Sequence, residues 1–154
     1  MAFWNQDESC LSQAISAFAA DPLGRSVIGV SPVPAEEAGA YGVVKVDSSN
    51  GAATKPILEF VEKPDSIQAS CLAENGVCRI VLGPYILHYR VMEALLRDVA
   101  QDERLNGEVQ LTPALIRDRE SHGLISLDLI GGALDTGNPT EYARTLTRLA
   151  QHLI

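Results

Sequence analysis

Runs of β-forming residues alternate with helical patterns along most of this chain. The β-forming runs cover residues 26–30, 41–46, 57–61, 78–87 and 124–130. Strands that alternate with helices are typical of α/β folds, in which helices cover a sheet. The length of 154 residues is that of one domain, and the sequence contains no repeat or linker. The sequence therefore predicts a single α/β domain over residues 1–154.

Helices are predicted from their start residues and from apolar spacing. Helix starts are indicated by Ser9, by Thr112 before Pro113, and by Asn138 before Pro139, because short polar side chains cap helices and proline suits the first turn. Three helices also carry an apolar stripe, which is expected to be the buried face. The stripes are Leu11, Ala14, Ile15, Phe18 and Ala19; Val91, Met92, Leu95, Leu96 and Val99; and Tyr142, Leu146, Leu149 and Leu153.

The run 57–61 leads directly into Glu62, Lys63 and Pro64. A turn sequence at 47–51 predicts that this run pairs with 41–46 as a hairpin, which holds the end of the strand rigidly. A carboxylate beside an ammonium at such an end can accept hydrogen bonds from hydroxyl groups and neutralise a phosphate. The alternative is a solvated charge pair before a turn, since most exposed charges have no other role.

The formal net charge of −8 argues against nucleic acid and anionic membrane surfaces as partners. The sequence contains no secretion signal and no apolar run of about eighteen residues, so membrane insertion is not expected. Cys10, Cys71 and Cys78 lack the spacing of a metal site or of a disulfide framework. These features predict a cytoplasmic protein. No histidine or cysteine has the spacing of a nucleophile and its base, so no catalytic residue is assigned.

Six short segments carry a resemblance to a known family. They are Val27-Ile28-Gly29-Val30, Tyr41-Gly42-Val43-Val44, Val61-Glu62-Lys63-Pro64, Gly83-Pro84-Tyr85-Ile86-Leu87, Gly107-Glu108-Val109-Gln110-Leu111-Thr112 and Asp135-Thr136-Gly137. In order and spacing they resemble the later part of the catalytic domain of bacterial sugar-1-phosphate nucleotidylyltransferases, and most closely the UTP:glucose-1-phosphate uridylyltransferases. The resemblance covers residues 10–150. It implies a partial Rossmann-like sheet flanked by helices, with the first βαβ unit missing.

The resemblance implies that Gly42, Glu62 and Lys63 bind the sugar phosphate. Gly42 would let the backbone approach the hexose, Glu62 would accept hydrogen bonds from sugar hydroxyls, and Lys63 would neutralise the phosphate oxygens. From the residues alone, Gly42 is equally consistent with a glycine at a β-bulge.

The resemblance also implies roles for Glu108 and Asp135. Glu108 would line the sugar side of the pocket, although Pro113 replaces an acid that is usual in the family. Asp135 matches an acid that helps hold Mg²⁺, which is implied only where the rest of the site is present. The alternatives from the residues alone are a solvated acid for Glu108 and a turn aspartate for Asp135.

The nucleotide-binding segments of the family have no counterpart in this sequence. Family members begin with a strand and a glycine-rich loop that holds the triphosphate, and they also carry a uridine-reading segment and a Leu-x-Asp-Asp metal motif. The chain is therefore expected to bind glucose-1-phosphate or a related sugar phosphate without making UDP-glucose on its own, because the charge of the triphosphate would not be neutralised.

The alternative is a non-catalytic binding or oligomeric assembly module that keeps only the fold. A sheet without its first βαβ unit would have an open edge, and open edges are usually paired or covered. A homo-oligomer or a second chain is therefore expected under either interpretation.

Overall fold

The structure, a computed structural model, describes residues 2–4, 8–49, 51–104, 107–134 and 139–152. Within these ranges the strands are β1 (Ala2–Trp4), β2 (Ser26–Pro34), β3 (Gly42–Val46), β4 (Thr54–Glu62), β5 (Val77–Ile86), β6 (Leu124–Asp128) and β7 (Gly132–Leu134). The helices are α1 (Cys10–Ala20), α2 (Ser66–Leu72), α3 (Tyr89–Ala100), α4 (Leu111–His122) and α5 (Pro139–His152), and a 3₁₀ helix covers Ala35–Ala40. This mixture of strands and helices confirms the predicted α/β class.

Strands β2 to β6 form one sheet that closes on itself. The strand order is β2-β5-β3-β4-β6, and β6 returns to β2. The β2–β6 pair is parallel, whereas the other pairs are antiparallel. The predicted hairpin between β3 and β4 is confirmed. The predicted open edge is wrong for these five strands, because residues 54–56 of β4 pair with residues 125–127 of β6 and complete the ring.

Three helices begin at a side-chain cap, and at α3 the cap is the ring of His88. Ser9 caps α1, where its hydroxyl accepts a hydrogen bond from the Ser12 N–H at 3.0 Å, as predicted. Asp65 and Gln68 form a capping box at the start of α2. Helix α2 was not predicted, because it has only 7 residues and such a short segment carries little helical periodicity.

The start of α4 differs from the prediction. Helix α4 begins at Leu111, and its N-cap residue is Gln110, so Thr112 lies inside the first turn. The prediction of Thr112 as the cap is therefore wrong. Its hydroxyl is directed to another strand instead, as described below.

Helices α1 to α4 and the 3₁₀ helix pack on the sheet through three apolar clusters. Helices α3 and α4 contribute Val91, Ala114 and Leu115 to the first cluster, which also contains residues of β2, β3 and β4. Helix α2 and the 3₁₀ helix cover Cys78 and Ile80 of β5 in the second. Helix α1 places Ala14 in the third. No helix in the described part of the chain has the length and apolar character needed to cross a membrane.

Part of each predicted apolar stripe is exposed. The large residues concerned, whose exposure is 49–67%, are Leu11, Ile15, Met92, Leu96, Val99, Tyr142 and Leu146, and Ala19 is exposed as well. The expectation of burial is wrong for these residues. On α1 and α3, the apolar stripe is wider than the part of the helix that is buried against the rest of the protein. On α3, Val91 is buried, whereas Met92, Leu96 and Val99 lie on the next face, together with Tyr89. We call these four exposed residues the α3 apolar stripe.

Strands β2 and β5 cross at a bulge centred on Gly29 and Gly83. Ile28 pairs with Tyr85 and Val30 pairs with Val81, so the single residue Gly29 lies opposite residues 82–84. Gly83 has a φ of 77°, which glycine adopts without strain. A Cβ atom on Gly29 would lie 2.7 Å from the carbonyl oxygen of Gly83. The close approach of the two backbones therefore requires glycine at this position.

Candidate functional site

Gly42 and Glu62 lie directly opposite each other at one end of the β3–β4 pair. A Cβ atom built on Gly42 would lie 3.0 Å from Oε2 of Glu62 and 2.9 Å from Cε2 of Phe60. The Glu62 carboxylate therefore lies beside the backbone of Gly42, in space that a side chain there would need. The only register shift in this pair lies between Lys45 and Val46, so Gly42 is not a bulge glycine.

Lys63 follows β4 in a backbone conformation that residues with a side chain rarely adopt. Its φ is 47°, and a left-handed conformation costs a non-glycine residue about 1 kcal/mol. The Lys63 N–H donates to the carbonyl oxygen of Tyr41 at 3.0 Å, which extends the strand pairing by one more hydrogen bond. The Lys63 side chain is exposed and forms no hydrogen bond or ion pair with the described residues. Its ammonium group is available to a ligand.

Thr112 reaches the same strand end from the first turn of α4. Its hydroxyl donates to Oε2 of Glu62 at 3.4 Å. Gln110 forms no side-chain cap hydrogen bond, and the first turn of α4 contains no acidic residue. The Glu62 carboxylate therefore supplies negative charge at the positive end of the helix, which stabilises it there. Thr112 and the backbone of Gly42 together restrict the orientation of this carboxylate.

Tyr85 lies after the β2–β5 bulge and interacts electrostatically with the same carboxylate. Desolvation and the charge of Glu62 both raise the pKa of the Tyr85 phenol above its usual value. The phenol is therefore protonated at neutral pH and can donate a hydrogen bond. Tyr85 is 40% exposed, so its side chain is also accessible to a ligand.

Two predicted site residues are not joined to this group. Glu108 is exposed, and no hydrogen bond or ion pair connects it to Gly42, Glu62 or Lys63 in the described ranges. Asp135 lies outside the described residues, so its contact with Mg²⁺ stays a prediction. No group of three or more His, Cys, Asp or Glu side chains among the described residues could hold a metal ion. With one carboxylate, the described part of the site does not fit Mg²⁺ by itself.

Sequence reasoning missed Thr112 and Tyr85 as members of the site. Thr112 stands before a proline, which favoured a cap, and no local pattern reports its distance to a strand some fifty residues earlier, at Glu62. Tyr85 follows Gly83 and Pro84, and this breaker pair is the one local signal that the strand changes course there.

The assembled group is suited to binding rather than to nucleophilic chemistry. Glu62 offers carboxylate oxygens to hydroxyl groups, Lys63 offers a positive charge, and Tyr85 offers a phenolic donor. A ligand that carries both hydroxyl groups and an anionic group would satisfy all three. The described residues of the group include no serine or cysteine beside a base.

Comparison with known sequences identifies relatives over nearly the whole chain. A sequence model of the family described as nucleotidyl transferase matches residues 6–152. The UTP–glucose-1-phosphate uridylyltransferase of Staphylococcus epidermidis is 31% identical over 145 residues, which cover 94% of this chain and 46% of the relative. The protein of the same name from Komagataeibacter xylinus is 31% identical over 110 residues, covering 71% of this chain and 34% of that one. The chain thus spans about half of these relatives, or less.

Solved structures share the fold over a similar extent. A UDP-glucose pyrophosphorylase complexed with UDP-glucose superposes with a TM-score of 0.77 at 24% identity, over 97% of this chain and 53% of the other. An apo UDP-glucose pyrophosphorylase gives a TM-score of 0.78 at 22% identity, over 99% and 52% of the two chains. The sheet with its flanking helices therefore corresponds to about half of the fold of these proteins.

Proposed function

Because this chain belongs to the nucleotidyl transferase family, we propose that the end of the β3–β4 pair binds a sugar phosphate, with glucose-1-phosphate as the first candidate. The observation that carries the proposal is the placement of the Glu62 carboxylate beside Gly42, at a strand end followed by Lys63, whose ammonium has no partner among the described residues. A carboxylate whose orientation is already restricted accepts hydrogen bonds from sugar hydroxyls with little further ordering.

Each residue of the site has a proposed task. Glu62 accepts hydrogen bonds from the hexose hydroxyls, and Gly42 lets the sugar approach the backbone of β3. Lys63 neutralises the phosphate, and Tyr85 donates a hydrogen bond to a sugar or phosphate oxygen. Glu108 is proposed to contact the sugar from the segment that precedes α4.

The proposed reaction context comes from the relatives named uridylyltransferases. In such a reaction an oxygen of the sugar phosphate attacks the α-phosphorus of UTP, and pyrophosphate leaves. We propose that residues 1–154 fold as one cytoplasmic domain that supplies the sugar-phosphate part of this reaction. The triphosphate and Mg²⁺ require a nucleotide-binding segment that these residues do not contain, with Asp135 contributing one ligand to the metal.

Substitution of Lys63 tests the proposal through binding. Calorimetric titration with glucose-1-phosphate should give a dissociation constant of about 1 mM for the wild-type chain. Lys63→Ala should weaken binding by about tenfold, because a charged hydrogen bond to the phosphate is lost. Glu62→Ala should chiefly reduce the preference for glucose-1-phosphate over other hexose phosphates.

Lys45→Ala serves as the matched control, since it removes a lysine from β3 without touching this strand end. If Lys45→Ala and Lys63→Ala weakened glucose-1-phosphate binding equally, the effect would be due to the change in net charge and not to a contact of Lys63. Unchanged binding by Lys63→Ala would contradict the role of Lys63.

A second candidate function is an assembly module, which the α3 apolar stripe favours. Leu96 is 67% exposed, and Tyr89, Met92 and Val99 extend the same surface. Apolar groups that line one helix face are commonly covered by another protein surface. A second copy of this chain is the proposed occupant.

Light scattering at micromolar concentrations should therefore show a dimer or higher oligomer. Leu96→Lys should shift it towards monomer, because the new charge would be buried in the contact. Leu23→Lys is the control, since Leu23 is 70% exposed and lies outside the stripe. A monomeric wild-type chain would contradict the assembly function and leave the sugar-phosphate proposal intact.

A further inference from the structure

A groove between α3 and α4 is lined by arginine side chains. It holds two adjoining cavities of about 400 Å³ and 350 Å³, and Asp98 and Arg117 line both. Arg90 and Arg97 line the larger cavity, and Arg104 lines the smaller one. Four of the 12 basic residues therefore surround one groove, in a chain whose formal net charge is −8. None of them belongs to the proposed sugar-phosphate site.

Two of these arginines are held in place by largely buried carboxylates. Arg90 Nε donates to Oδ1 of Asp118, and Arg117 donates to Oδ2 of Asp98. The side chains of Asp118 and Asp98 are only 4% and 11% exposed. Each pair neutralises its carboxylate and fixes a guanidinium at the wall of the groove, so a ligand meets cations that are already ordered.

Several N–H groups of these arginines remain unused. A guanidinium carries five N–H donors. Arg117 forms one side-chain hydrogen bond with the described residues, and Arg90 adds to its ion pair a weak contact of 3.5 Å with the carbonyl oxygen of Gly24. Arg97 forms no side-chain hydrogen bond or ion pair with the described residues. The larger cavity is therefore bordered by N–H donors that have no acceptor among the described residues.

The remaining ionisable residues of the groove are Glu103 and His122. Glu103 lines both cavities, is exposed, and has no side-chain partner among the described residues. His122 lies with its Nδ1 at 3.1 Å from Oδ1 of Asp118. Arg104 is already paired with Asp102, so Arg97 is the one arginine of the groove without a side-chain ion pair among the described residues.

We propose that this groove binds a compact, multiply charged phosphate oxyanion, either free or as the end group of a phosphorylated metabolite. Arginine binds phosphate through parallel hydrogen bonds, and two or more ordered guanidiniums favour a ligand with several anionic oxygens. The volumes fall in the range of small-molecule sites, which begins at about 300 Å³. A long polyanion is disfavoured, because the negative charge of the rest of the chain repels it.

Two substitutions test the proposal, one that removes a positive charge from the groove and one that removes a negative charge. Calorimetric titration with inorganic pyrophosphate, without divalent metal, should show binding at submillimolar concentration. Arg97→Gln should weaken binding by about fivefold or more, because it removes an unpaired donor and a positive charge. Glu103→Gln should tighten binding by about twofold, because it removes the unpaired negative charge beside the ligand. Neither side chain has a hydrogen-bond or ion-pair partner among the described residues. The unfolding temperatures of the two variants should therefore match that of the wild type.

Two further variants test whether pyrophosphate binds at this groove or at a lysine elsewhere in the chain. Lys45→Gln removes a positive charge from β3 and should leave pyrophosphate binding unchanged, as should Lys63→Ala at the proposed sugar-phosphate site. Loss of pyrophosphate binding in Lys63→Ala would place the anion at that site and overturn the groove proposal. Absence of binding by the wild-type chain, or equal binding by Arg97→Gln and the wild type, would also overturn it.

Discussion

Asp118→Ala is expected to lower the free energy of unfolding by about 3 kcal/mol or more. Its carboxylate accepts hydrogen bonds from the Ser26 hydroxyl at 3.0 Å and from Arg90, and His122 lies at 3.1 Å. The Arg90 side chain is 17% exposed, so its charge would remain largely buried without a partner. The buried Ser26 hydroxyl would also lose its acceptor. Urea denaturation of the purified variant measures the change.

Asp102→Ala is the matched control for Asp118→Ala. Asp102 also pairs with an arginine, Arg104, but the two side chains are 78% and 49% exposed. Exposed ion pairs contribute about 0–1 kcal/mol, so this variant should unfold nearly as the wild type does. Asp118→Asn should fall between the two, because an amide oxygen can still accept from Ser26. Similar losses for Asp102→Ala and Asp118→Ala would contradict the stabilising role of the buried pair.

Gly29→Ala is expected to lower the free energy of unfolding by about 2–3 kcal/mol. The added methyl group would lie 2.7 Å from the carbonyl oxygen and 2.9 Å from the carbonyl carbon of Gly83, and 3.0 Å from Cδ1 of Leu129. The Gly83 atoms belong to the backbone of β5, so the two strands would have to separate. That movement should also displace Tyr85, whose pairing with Ile28 begins beside the bulge. Urea denaturation gives the loss of stability.

Gly24→Ala is the control for Gly29→Ala. Gly24 has a φ of 58°, and a Cβ atom there would meet nothing within 4 Å. This variant should lose only the cost of a left-handed conformation, about 1 kcal/mol. A loss for Gly29→Ala no larger than that for Gly24→Ala would show that the β2–β5 crossing tolerates a side chain.

The position of Gly42 opposite Glu62 could be predicted from the sequence because the hairpin that pairs them depends on local residues. A turn sequence at 47–51 separates two β-forming runs, and the hairpin that it predicts places the two residues at the same end. The closure of the sheet was not predictable in this way. It depends on residues 54–56 meeting residues 125–127, and no turn or period in the sequence reports a pairing over that separation.

The same distinction explains the errors in the helices. Thr112 and Pro113 have the residue types of a helix start, but the position of α4 against β4 directs the Thr112 hydroxyl to Glu62. The periodicity of α3 was correct for Val91, which is buried, and wrong for Leu96, which is exposed. Periodicity predicts which residues share a helix face, whereas the width of the contact with the sheet decides how many of them are covered.

Binding of a sugar phosphate at the end of the β3–β4 pair can be measured by a chemical-shift titration with glucose-1-phosphate. We expect the amide resonances of Gly42, Glu62 and Lys63 to shift progressively and to saturate in the millimolar range, while those of the α3–α4 groove respond less. Lys63→Ala should require about tenfold more ligand for the same shifts. Unmoved resonances at Gly42, Glu62 and Lys63 under saturating ligand would contradict binding at this strand end and leave the assembly module as the function to pursue.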